Sequence, residues 1–565
     1  MKTMKTVALA LSMTLLVSSV QAQMFPVDNA WVDRTLKSMT LEEKIGQLFV
    51  PVHSDIQKTK EWVKDHGIGG LWFSRTEARK IAGELNALQE ASKYPLLVTV
   101  DFEKGAGTYI DGATDLPINM ALGASRDPNL VTAAARLTAR EARALGVHLN
   151  YAPVLDVNNN ADNPVINTRS YGENPSLVAK LGAAAIKGYQ DHGLLATAKH
   201  FPGHGNTSTD THAKLGVVTS SPSVFEAVEL YPYKQVLKQA APSSIMSAHL
   251  WIEAVDTDTI PATLSENVMT TLLRKELKFD GIVFTDAMVM GGITTRYPFD
   301  VATVKAIQAG CDIILFPGDL AKGIQAVRQA VTDGQLTEKR IDESVRRILR
   351  AKTRVGLHKQ RLVDVEKIPS LVGTEANYLE AKRIAAQCLT LARNDRKIIP
   401  LRPAQKILVL TISNKEGNSM LSRGLVSFPD EVRKFSPGST DLRLSDELTS
   451  DEIRNALDLA KHADVVVVAA YIRIVLNSGT VDLPPAHASF LKQLLKQNSN
   501  LTLISFGNPY IGGTVPEIPA YVCAYDNAKA LQEAAAEALF GKSDFSGKLP
   551  VTISETLKSG SGLRK

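Results

Sequence analysis

Short apolar segments alternate with longer segments of helical periodicity along roughly the first 360 residues of the chain. The apolar segments are rich in Val, Ile, Leu and Ala and mostly lack alternation, which predicts strands covered on both faces, as in a parallel sheet. Eight strands are predicted, at 45–52, 69–73, 96–101, 147–151, 195–200, 244–249, 281–286 and 312–316. Helices are predicted between them, for example at 77–92, 130–145, 175–192, 224–239 and 265–277. Eight such βα units favour a (β/α)8 TIM barrel, and an open doubly wound sheet is the alternative.

A second and shorter αβ series begins near Lys406, after an amphipathic helix at 340–356 that closes the first series. Its strands are predicted at 407–412, 464–470, 501–506 and 521–525, with helices at 450–461, 486–497 and 529–540. This pattern predicts a smaller α/β/α sandwich. The predicted organisation is a signal peptide at 1–22, a barrel catalytic domain at 23–360, a connector at 361–402 and a C-terminal sandwich at 403–558.

The N-terminus has the pattern of a targeting segment. Lys2 and Lys5 precede an apolar run at 7–20, and small residues follow at Val20-Gln21-Ala22. A basic region, an apolar region and a small-residue site indicate a signal peptide cleaved near Ala22, and the run is short for a membrane span. We therefore expect a secreted or periplasmic protein with no membrane span and no cysteine placed for a lipid anchor.

Charge, cysteine content and the lack of a phosphate-binding loop argue against several classes of protein. The net charge is only +5 in 565 residues, with no basic block, so a nucleic-acid partner is not expected. Cys311, Cys388 and Cys523 lie far apart without a CxxC pair, which excludes a zinc knuckle and argues against a disulfide scaffold. The loop at 413–418 fits neither glycine-rich phosphate-binding pattern, so we expect no nucleotide cofactor. Nothing in the composition indicates the oligomeric state.

Polar residues stand at the ends of several predicted barrel strands. They are Asp101, Asn150, Lys199 with His200, His249, and Thr285 with Asp286. Active sites of TIM barrels gather at the C-terminal ends of the strands. A polar residue can end a strand simply because the chain leaves the barrel for solvent there, which would explain one or two such positions. It would not explain this many charged or imidazole groups after apolar strands.

One of these strand ends runs into the loop T-A-K-H-F-P-G-H-G-N-T-S-T-D-T-H at 197–212. Asp210 stands two residues before His212, and a carboxylate there can hold the imidazole in one tautomer and favour its charged form. The pair is therefore a candidate general acid/base. Two alternatives are a solvated histidine-rich loop and a metal site formed by His200, His204, Asp210 and His212, although these residues lack an HxH or HExxH spacing.

Asp286 ends the predicted strand 281–286 and lies within the segment F-T-D-A-M at 284–288. A carboxylate at the mouth of a barrel beside apolar residues suits attack on an anomeric carbon. Retaining glycosidases need such a nucleophile together with an acid/base, and here the Asp210–His212 pair is the available acid/base.

Several motifs stand out along the chain: M-T-L-E-E-K-I-G-Q-L-F at 39–49, A-P-V-L-D-V at 152–157, N-P-V-I-N-T-R-S-Y-G at 163–172, K-H-F-P-G-H-G-N-T with D-T-H at 199–212, F-T-D-A-M at 284–288 and R-I-D-E-S-V-R-R-I-L at 340–349. In these motifs the chain resembles the family 3 glycoside hydrolases, and more narrowly their bacterial β-N-acetylglucosaminidase branch, known from cell-wall recycling. The related β-glucosidases take their acid from an S-E-G-like motif in the second domain. The comparable region, 471–483, reads Y-I-R-I-V-L-N-S-G-T-V-D-L and lacks it, which favours the histidine.

The resemblance implies a role for each matching residue. Asp286 is expected to be the nucleophile, His212 the acid/base and Asp210 the residue that orients it. Asp101, Arg169, Lys199 and His200 are expected to hold the hydroxyls of the non-reducing sugar. Asp156 is expected either to support the site or to cap or structure its loop. No metal or other cofactor is implied. One departure is that the family pattern D-x-E-G-G-R reads D-F-E-K-G-A at 101–106.

The function expected from these features is that of a secreted, retaining exo-β-N-acetylglucosaminidase. Its substrate would be a glycan with terminal N-acetylglucosamine, such as a cell-wall peptidoglycan fragment, and its acceptor either water or phosphate. A β-glucosidase or β-xylosidase on the same barrel is the alternative within the class. A metal-dependent barrel hydrolase and a catalytically inactive sugar-binding module are the alternatives outside it.

Overall fold

The computed structural model describes residues 24–414, 426–475 and 481–564. The predicted signal peptide at 1–22 lies outside these residues, as do parts of the segments 413–418 and 471–483. Among the helices described, none is long and apolar enough to cross a bilayer.

Eight parallel strands form a closed barrel. They are β1 (Phe49–Val50 and Val52–His53), β2 (Gly70–Phe73), β3 (Leu97–Val100), β4 (Leu149–Asn150), β5 (Leu195–Phe201), β6 (Ser244–Ser247), β7 (Ile282–Phe284) and β8 (Ile314–Leu315). Each strand from β1 to β6 pairs with the next. The ring closes because β8 pairs with Phe49–Val50 and the Thr285 N–H donates to the Ile313 carbonyl at 3.0 Å. The predicted (β/α)8 barrel is confirmed, and the open doubly wound sheet is wrong.

The first predicted strand begins later than its apolar pattern suggests. Leu41–Gly46 is a helix, so the residues from 45 onward that read as strand enter β1 only at Phe49. Thr40 caps the helix, because its hydroxyl accepts from the Glu43 N–H while the Glu43 carboxylate accepts from the Thr40 N–H. This capping box overrides the apolar run, because it satisfies donors that an isolated helix start leaves without partners.

Helices surround the barrel and confirm most of the predicted helical segments. Predicted helix 224–239 is two helices, Pro222–Ala227 and Leu230–Gln239, and predicted helix 265–277 is a π-helix at Asn267–Glu276. The remaining helices of this domain are Asn29–Ser38, Ile56–His66, Ala78–Ala91, Asn119–Ser125, Pro128–Ala144, Pro175–Gln190, Gly291–Thr294, Phe299–Ala309, Leu320–Thr332 and Glu338–Arg354.

A second sheet forms the C-terminal domain. Its strands are β9 (Thr390–Asn394), β10 (Ile407–Ser413), β11 (Thr440–Arg443), β12 (Val465–Tyr471), β13 (Leu501–Ser505) and β14 (Ala520–Cys523), in the order β9-β14-β13-β12-β10-β11. Helices Ser450–His462 and Pro485–Gln497 pack together, while Glu375–Ala386 and Phe428–Phe435 both contact Lys529–Leu539. The predicted α/β sandwich is therefore present. The segment 361–402, predicted as a connector, supplies strand β9, which pairs antiparallel with β14.

The three cysteines are buried. Burial raises the pKa of Cys311 and of Cys523 to about 12, which keeps both thiols protonated. Cys311 and Cys523 are packing residues, as the apolar runs around them predicted, and Cys388 is buried in the same way.

Asp312, just before β8, joins several elements at the N-terminal end of the barrel by hydrogen bonds and ion pairs. Its buried carboxylate accepts from Arg274 Nη2 at 2.6 Å, Arg347 Nη1 at 3.2 Å, the Ser344 hydroxyl at 2.7 Å and the Val283 N–H at 2.9 Å. Burial alone would raise the pKa of Asp312, but the charges of Arg274 and Arg347 outweigh burial and lower it. The network joins β7, β8 and the last barrel helix.

We expect Asp312→Ala to lower the free energy of unfolding of the barrel by about 3–5 kcal/mol, because it leaves buried guanidinium groups without their carboxylate. Urea unfolding followed by intrinsic fluorescence measures the loss. Asp33→Ala is the control, because Asp33 forms an exposed ion pair with Arg346 that contributes about 0–1 kcal/mol. Equal losses in the two variants would contradict a structural role for the Asp312 network.

Candidate active site

Lys199 is the centre of a charged cluster at the C-terminal end of the barrel. Its ammonium group lies 2.8 Å from Asp101 Oδ1 and 2.8 Å from Glu103 Oε1. Asp101 also accepts from the indole N–H of Trp72, at the end of β2, at 2.9 Å. The Lys199 side chain is only 2% exposed, whereas Asp101 is 17% exposed and remains open to a ligand.

Arg169 completes the charged cluster, which we define as Asp101, Glu103, Arg169 and Lys199. Its guanidinium donates to both carboxylate oxygens of Glu103, at 3.0 and 2.8 Å. Burial would raise the pKa of Glu103, but the charges of Arg169 and Lys199 outweigh burial and hold it well below its ordinary range. The cluster contains two carboxylates and two cations, so these buried charges are paired, as a low-dielectric site requires.

His200 is oriented by Asp156. The Nδ1 atom of His200 lies 2.7 Å from Asp156 Oδ2, and its Nε2 lies 3.3 Å from Arg169 Nη2. The other oxygen of Asp156 accepts from the backbone N–H groups of His200 and His204, at 3.2 and 2.7 Å. Burial would raise the pKa of Asp156, but the neighbouring His200 outweighs burial and lowers it. One carboxylate therefore fixes the His200 ring and the start of the histidine loop.

Asp210 and His212 form the predicted pair. Asp210 Oδ1 accepts from the His212 backbone N–H at 2.9 Å and lies 2.8 Å from His212 Nδ1. The carboxylate is 5% exposed and the imidazole 28% exposed, so the pair has an anchored end and an accessible end. With Nδ1 facing the carboxylate, the Nε2 atom remains available to a ligand.

Asp286 lies two residues beyond β7 and is surrounded by imidazoles. The Ala287 N–H donates to its Oδ1 at 2.7 Å, and the Ala287 carbonyl lies 3.1 Å from His249 Nε2. Burial would raise the pKa of Asp286, but His200, His249 and the Ala287 N–H outweigh it and lower the pKa to about 2. Asp286 is therefore ionised across the working range of most enzymes, as a nucleophile must be.

The loops that carry His212 and Asp286 are joined by backbone hydrogen bonds. The Gly291 N–H donates to the His212 carbonyl at 2.9 Å, and the Gly292 N–H donates to the Thr211 carbonyl at 3.0 Å. A Cβ at Gly291 would lie 2.2 Å from the Ala213 carbonyl oxygen, so only glycine permits this approach. Further along, Gly216–Val218 pairs with Leu250–Ile252 after β6. The acid/base candidate and the nucleophile candidate are thus held on one joined surface.

The structure brings together all of the predicted site residues, in the charged cluster, the Asp210–His212 pair and the surroundings of Asp286. Sequence reasoning gave no role to Glu103 or Trp72, which contact Lys199 and Asp101 directly. Glu103 was within reach of a prediction because it stands two residues after Asp101 in the same strand-end loop. Trp72 gave no comparable signal, since an aromatic residue in an apolar strand is usually a core residue.

The histidines proposed as metal ligands face different partners. His204 Nε2 lies 2.9 Å from the Thr211 hydroxyl, whereas His200 and His212 face separate carboxylates. Across residues 24–414, 426–475 and 481–564, no three His, Cys, Asp or Glu side chains are grouped as a metal site would need. The donor positions in this part of the chain therefore do not favour a metal-dependent hydrolase.

Comparison with known proteins assigns the chain to a family. The model of the glycosyl hydrolase family 3 N-terminal domain matches residues 40–351, and that of the family's C-terminal domain matches residues 389–562. The chain belongs to glycosyl hydrolase family 3. The predicted resemblance is confirmed, and the protein is a glycoside hydrolase.

Three named proteins resemble the chain along most of its length. A β-N-acetylglucosaminidase/β-glucosidase of Cellulomonas fimi is 30% identical, over 92% of this chain and 95% of that protein. The structure of a family 3 β-N-acetylglucosaminidase from Paenibacillus sp. str. FPU-7 is 31% identical, with a TM-score of 0.85 over 92% of this chain and 99% of that one. The β-glucoside phosphorylase BglX is 26% identical, with a TM-score of 0.84 over 93% and 96% of the two chains.

Burial of His204 predicts that acid destabilises the folded protein. Burial lowers its pKa from 6.5 to about 4, despite the opposing charge of Asp156 and the weaker effect of Asp286; His200 adds to the lowering. Between about pH 6.5 and 4 the unfolded chain takes up a proton at this residue and the folded chain does not. Stability contributed by the neutral imidazole is therefore lost as the pH falls through this window, by on the order of 3 kcal/mol.

We expect His204→Gln to remove this part of the pH dependence. The measurement is the urea midpoint of the wild type and the variant at several pH values between 7 and 4. The control is His66→Gln, at the end of the surface helix Ile56–His66. A wild-type curve whose slope is unchanged in His204→Gln would contradict the assignment.

Proposed function

We propose that the chain is a secreted, retaining exo-β-N-acetylglucosaminidase that removes terminal N-acetylglucosamine from glycans such as peptidoglycan fragments. The observation that carries the proposal is the Asp210–His212 pair, at 2.8 Å, on a loop that is hydrogen-bonded to the loop after Asp286. An accessible imidazole and an ionised carboxylate on two hydrogen-bonded loops are the two groups that a retaining mechanism needs.

In the first step, an Asp286 oxygen attacks the anomeric carbon as the bond from that carbon to the leaving oxygen breaks. His212 gives its proton to the leaving oxygen, so that an alcohol departs and a glycosyl ester of Asp286 forms. Asp210 stabilises the imidazolium and holds its Nδ1 side, as an orienting carboxylate does in other acid/base pairs. The charged cluster binds the sugar hydroxyls through Asp101, which is its most exposed carboxylate.

In the second step, neutral His212 accepts a proton from the incoming acceptor, which attacks the anomeric carbon and releases Asp286. Water gives hydrolysis and phosphate gives a sugar phosphate. A neutral imidazole does not repel an anion as a carboxylate base would, so phosphate is a chemically reasonable acceptor. The likeness to a β-glucoside phosphorylase motivates the same test. Comparing product release with and without inorganic phosphate identifies the acceptor.

The choice of N-acetylglucosamine is supported by relatives that carry that activity in their names and are 30–31% identical over most of the chain. A β-glucosidase is the alternative, because the Cellulomonas fimi relative is named for both activities. We expect the nitrophenyl N-acetylglucosaminide to be turned over at least ~10-fold faster than the nitrophenyl glucoside, since a pocket that uses hydrogen bonds to recognise an amide discriminates strongly against its absence. The reverse order would favour the β-glucosidase.

Secretion is proposed from the leader pattern at 1–22, and peptidoglycan fragments are proposed because such substrates lie outside the cytoplasm. N-terminal sequencing of the protein purified from its native host tests the first point, with Gln23 expected as the first residue. Product analysis on purified muropeptides tests the second.

Asp286→Asn should reduce kcat by at least ~10³, because a neutral amide can neither attack the anomeric carbon nor stabilise positive charge there. Steady-state kinetics on the aryl N-acetylglucosaminide measure the loss, and mass spectrometry establishes that the variant has not deamidated. Activity within a few-fold of the wild type would overturn the assignment of the nucleophile.

His212→Ala should distinguish substrates by their leaving groups. A nitrophenolate departs with little help, whereas a sugar alcohol needs the proton, so we expect a loss of about 10²–10⁴ on a disaccharide and a much smaller loss on the aryl glycoside. The second step should then limit the aryl reaction and give a burst of phenolate. Asp210→Ala should show a milder form of the same pattern.

The control for His212→Ala is Asp482→Ala, which removes an exposed acid from the second-domain region where related β-glucosidases keep theirs. This control should leave both rates nearly unchanged. Equal losses on both substrates in His212→Ala without a burst, or a loss of two decades in Asp482→Ala, would place the acid/base elsewhere.

A further inference from the structure

Lys104 connects the barrel to the second domain directly beside the charged cluster. Its ammonium group donates to both oxygens of Asp526, at 3.1 and 2.9 Å, and lies 3.4 Å from Asp115 Oδ1. The Lys104 side chain is 8% exposed and that of Asp526 is 9% exposed. Asp526 lies three residues after β14, so this is a buried ion pair between the two domains.

The neighbour of Lys104 is Glu103, which contacts Arg169 and Lys199. A shift of the backbone at Lys104 is therefore transmitted to the charged cluster through one peptide bond. The Lys104 carbonyl also accepts from the Leu116 N–H at 2.8 Å, which closes the segment 104–116 into a loop. On the barrel side, the Thr114 N–H and hydroxyl donate to Glu141 at 3.1 and 2.6 Å. The loop after Asp101 is thus held by the barrel at one point and by the second domain at another.

Lys104 departs from the family pattern given for the loop after Asp101. It stands where the family pattern D-x-E-G-G-R has a glycine, while Ala106 stands where the pattern has arginine. Burying a lysine ammonium is costly unless carboxylates surround it, and Lys104 has two. Burial would lower the pKa of Lys104, but Asp115 and Asp526 outweigh burial and raise it. The Lys104 ammonium group therefore stays charged and keeps its ion pair with Asp526 of the second domain.

Two further contacts between the domains, at Glu173 and at Asn158, lie away from this loop. The Glu173 carboxylate accepts from the Thr552 N–H and hydroxyl, both at 2.7 Å, and the Asn158 amide donates to the Tyr510 hydroxyl at 2.9 Å. These contacts join the domains whether or not Lys104 holds Asp526. The Lys104–Asp526 pair differs from them because its barrel partner adjoins a residue of the charged cluster.

We infer that Lys104 is a positioning residue through which the second domain sets sugar affinity: its ion pair with Asp526 holds the loop that carries Asp101 and Glu103. The second domain then acts on the site without giving it a catalytic group. This inference rests on the proposed role of Asp101 in holding the sugar, and the experiment separates the failure of one from the failure of the other.

The experiment compares six variants by steady-state kinetics on the aryl N-acetylglucosaminide and by the Ki of N-acetylglucosamine. They are Lys104→Met, Asp526→Asn, the double variant, Lys104→Arg, Asp101→Asn and the interface control Thr552→Val. We expect Lys104→Met and Asp526→Asn each to raise KM and Ki by about tenfold with kcat changed less than ~3-fold, because coupled contacts of this kind contribute on that scale. Lys104→Arg, which keeps the charge, should stay within ~3-fold of the wild type.

The double variant should show a KM and Ki no higher than those of the more impaired single variant, since both changes break the same pair. Thr552→Val should bind the sugar as the wild type does. Circular dichroism and thermal melting establish that each variant is folded, and Asp526→Asn, the smallest change, still decides the question if Lys104→Met does not fold.

Wild-type affinity in folded Asp526→Asn, with Asp101→Asn weakened, would overturn the inference and leave the sugar pocket standing. Additive losses in the double variant, or an equal loss in Thr552→Val, would also overturn it, because the effect would then not belong to this pair. Wild-type affinity in Asp101→Asn would instead overturn the proposed pocket, and the inference with it.

Discussion

The pairing of charge inside the barrel mouth is the constraint on which the site depends. Lys199, Arg169 and Glu103 are nearly inaccessible to water, and such groups persist only when each meets an opposite charge. Glu103 lies in the loop after β3, Arg169 in the segment after β4 and Lys199 within β5, so pairing them fixes how the two loops lie over the barrel. Asp101 is the member of the charged cluster that keeps access to solvent. A ligand can therefore contact the cluster at Asp101.

A second buried carboxylate, Asp156, fixes the histidine loop in a similar way. It holds the His200 ring and the backbone of His204, so the end of β5 and the loop beyond it cannot move independently. Glycines then allow backbone to approach backbone where side chains would collide: a Cβ at Gly205 would lie 1.8 Å from the Val157 carbonyl oxygen. The Asp210–His212 pair thus sits on a support of buried charge and close backbone contact, and its imidazole alone remains partly exposed.

Much of this arrangement could be predicted from the sequence, because the barrel strands are apolar and end in charged residues. Asp101, Lys199, His200 and Asp286 stand at strand ends, and the geometry of a parallel barrel brings such ends together. The Glu103–Arg169 pair could not be predicted in this way, since its members are separated by 66 positions in loops whose paths depend on the folded backbone. Strand β9 was missed for a related reason: Thr390–Asn394 is short and partly polar, and only its pairing with β14 makes it a strand.

The position of β9 bears on how the second domain can be divided from the first in evolution. β9 covers the edge of β14, and the preceding helix Glu375–Ala386 packs on Lys529–Leu539. A gene fragment that started at residue 403, after both elements, would encode a sheet with an open edge, and such edges template aggregation. A fragment that keeps this edge covered therefore begins before Thr390, and the family's C-terminal domain model likewise begins at residue 389, so recombination that preserves this sandwich must carry residues that otherwise read as a linker.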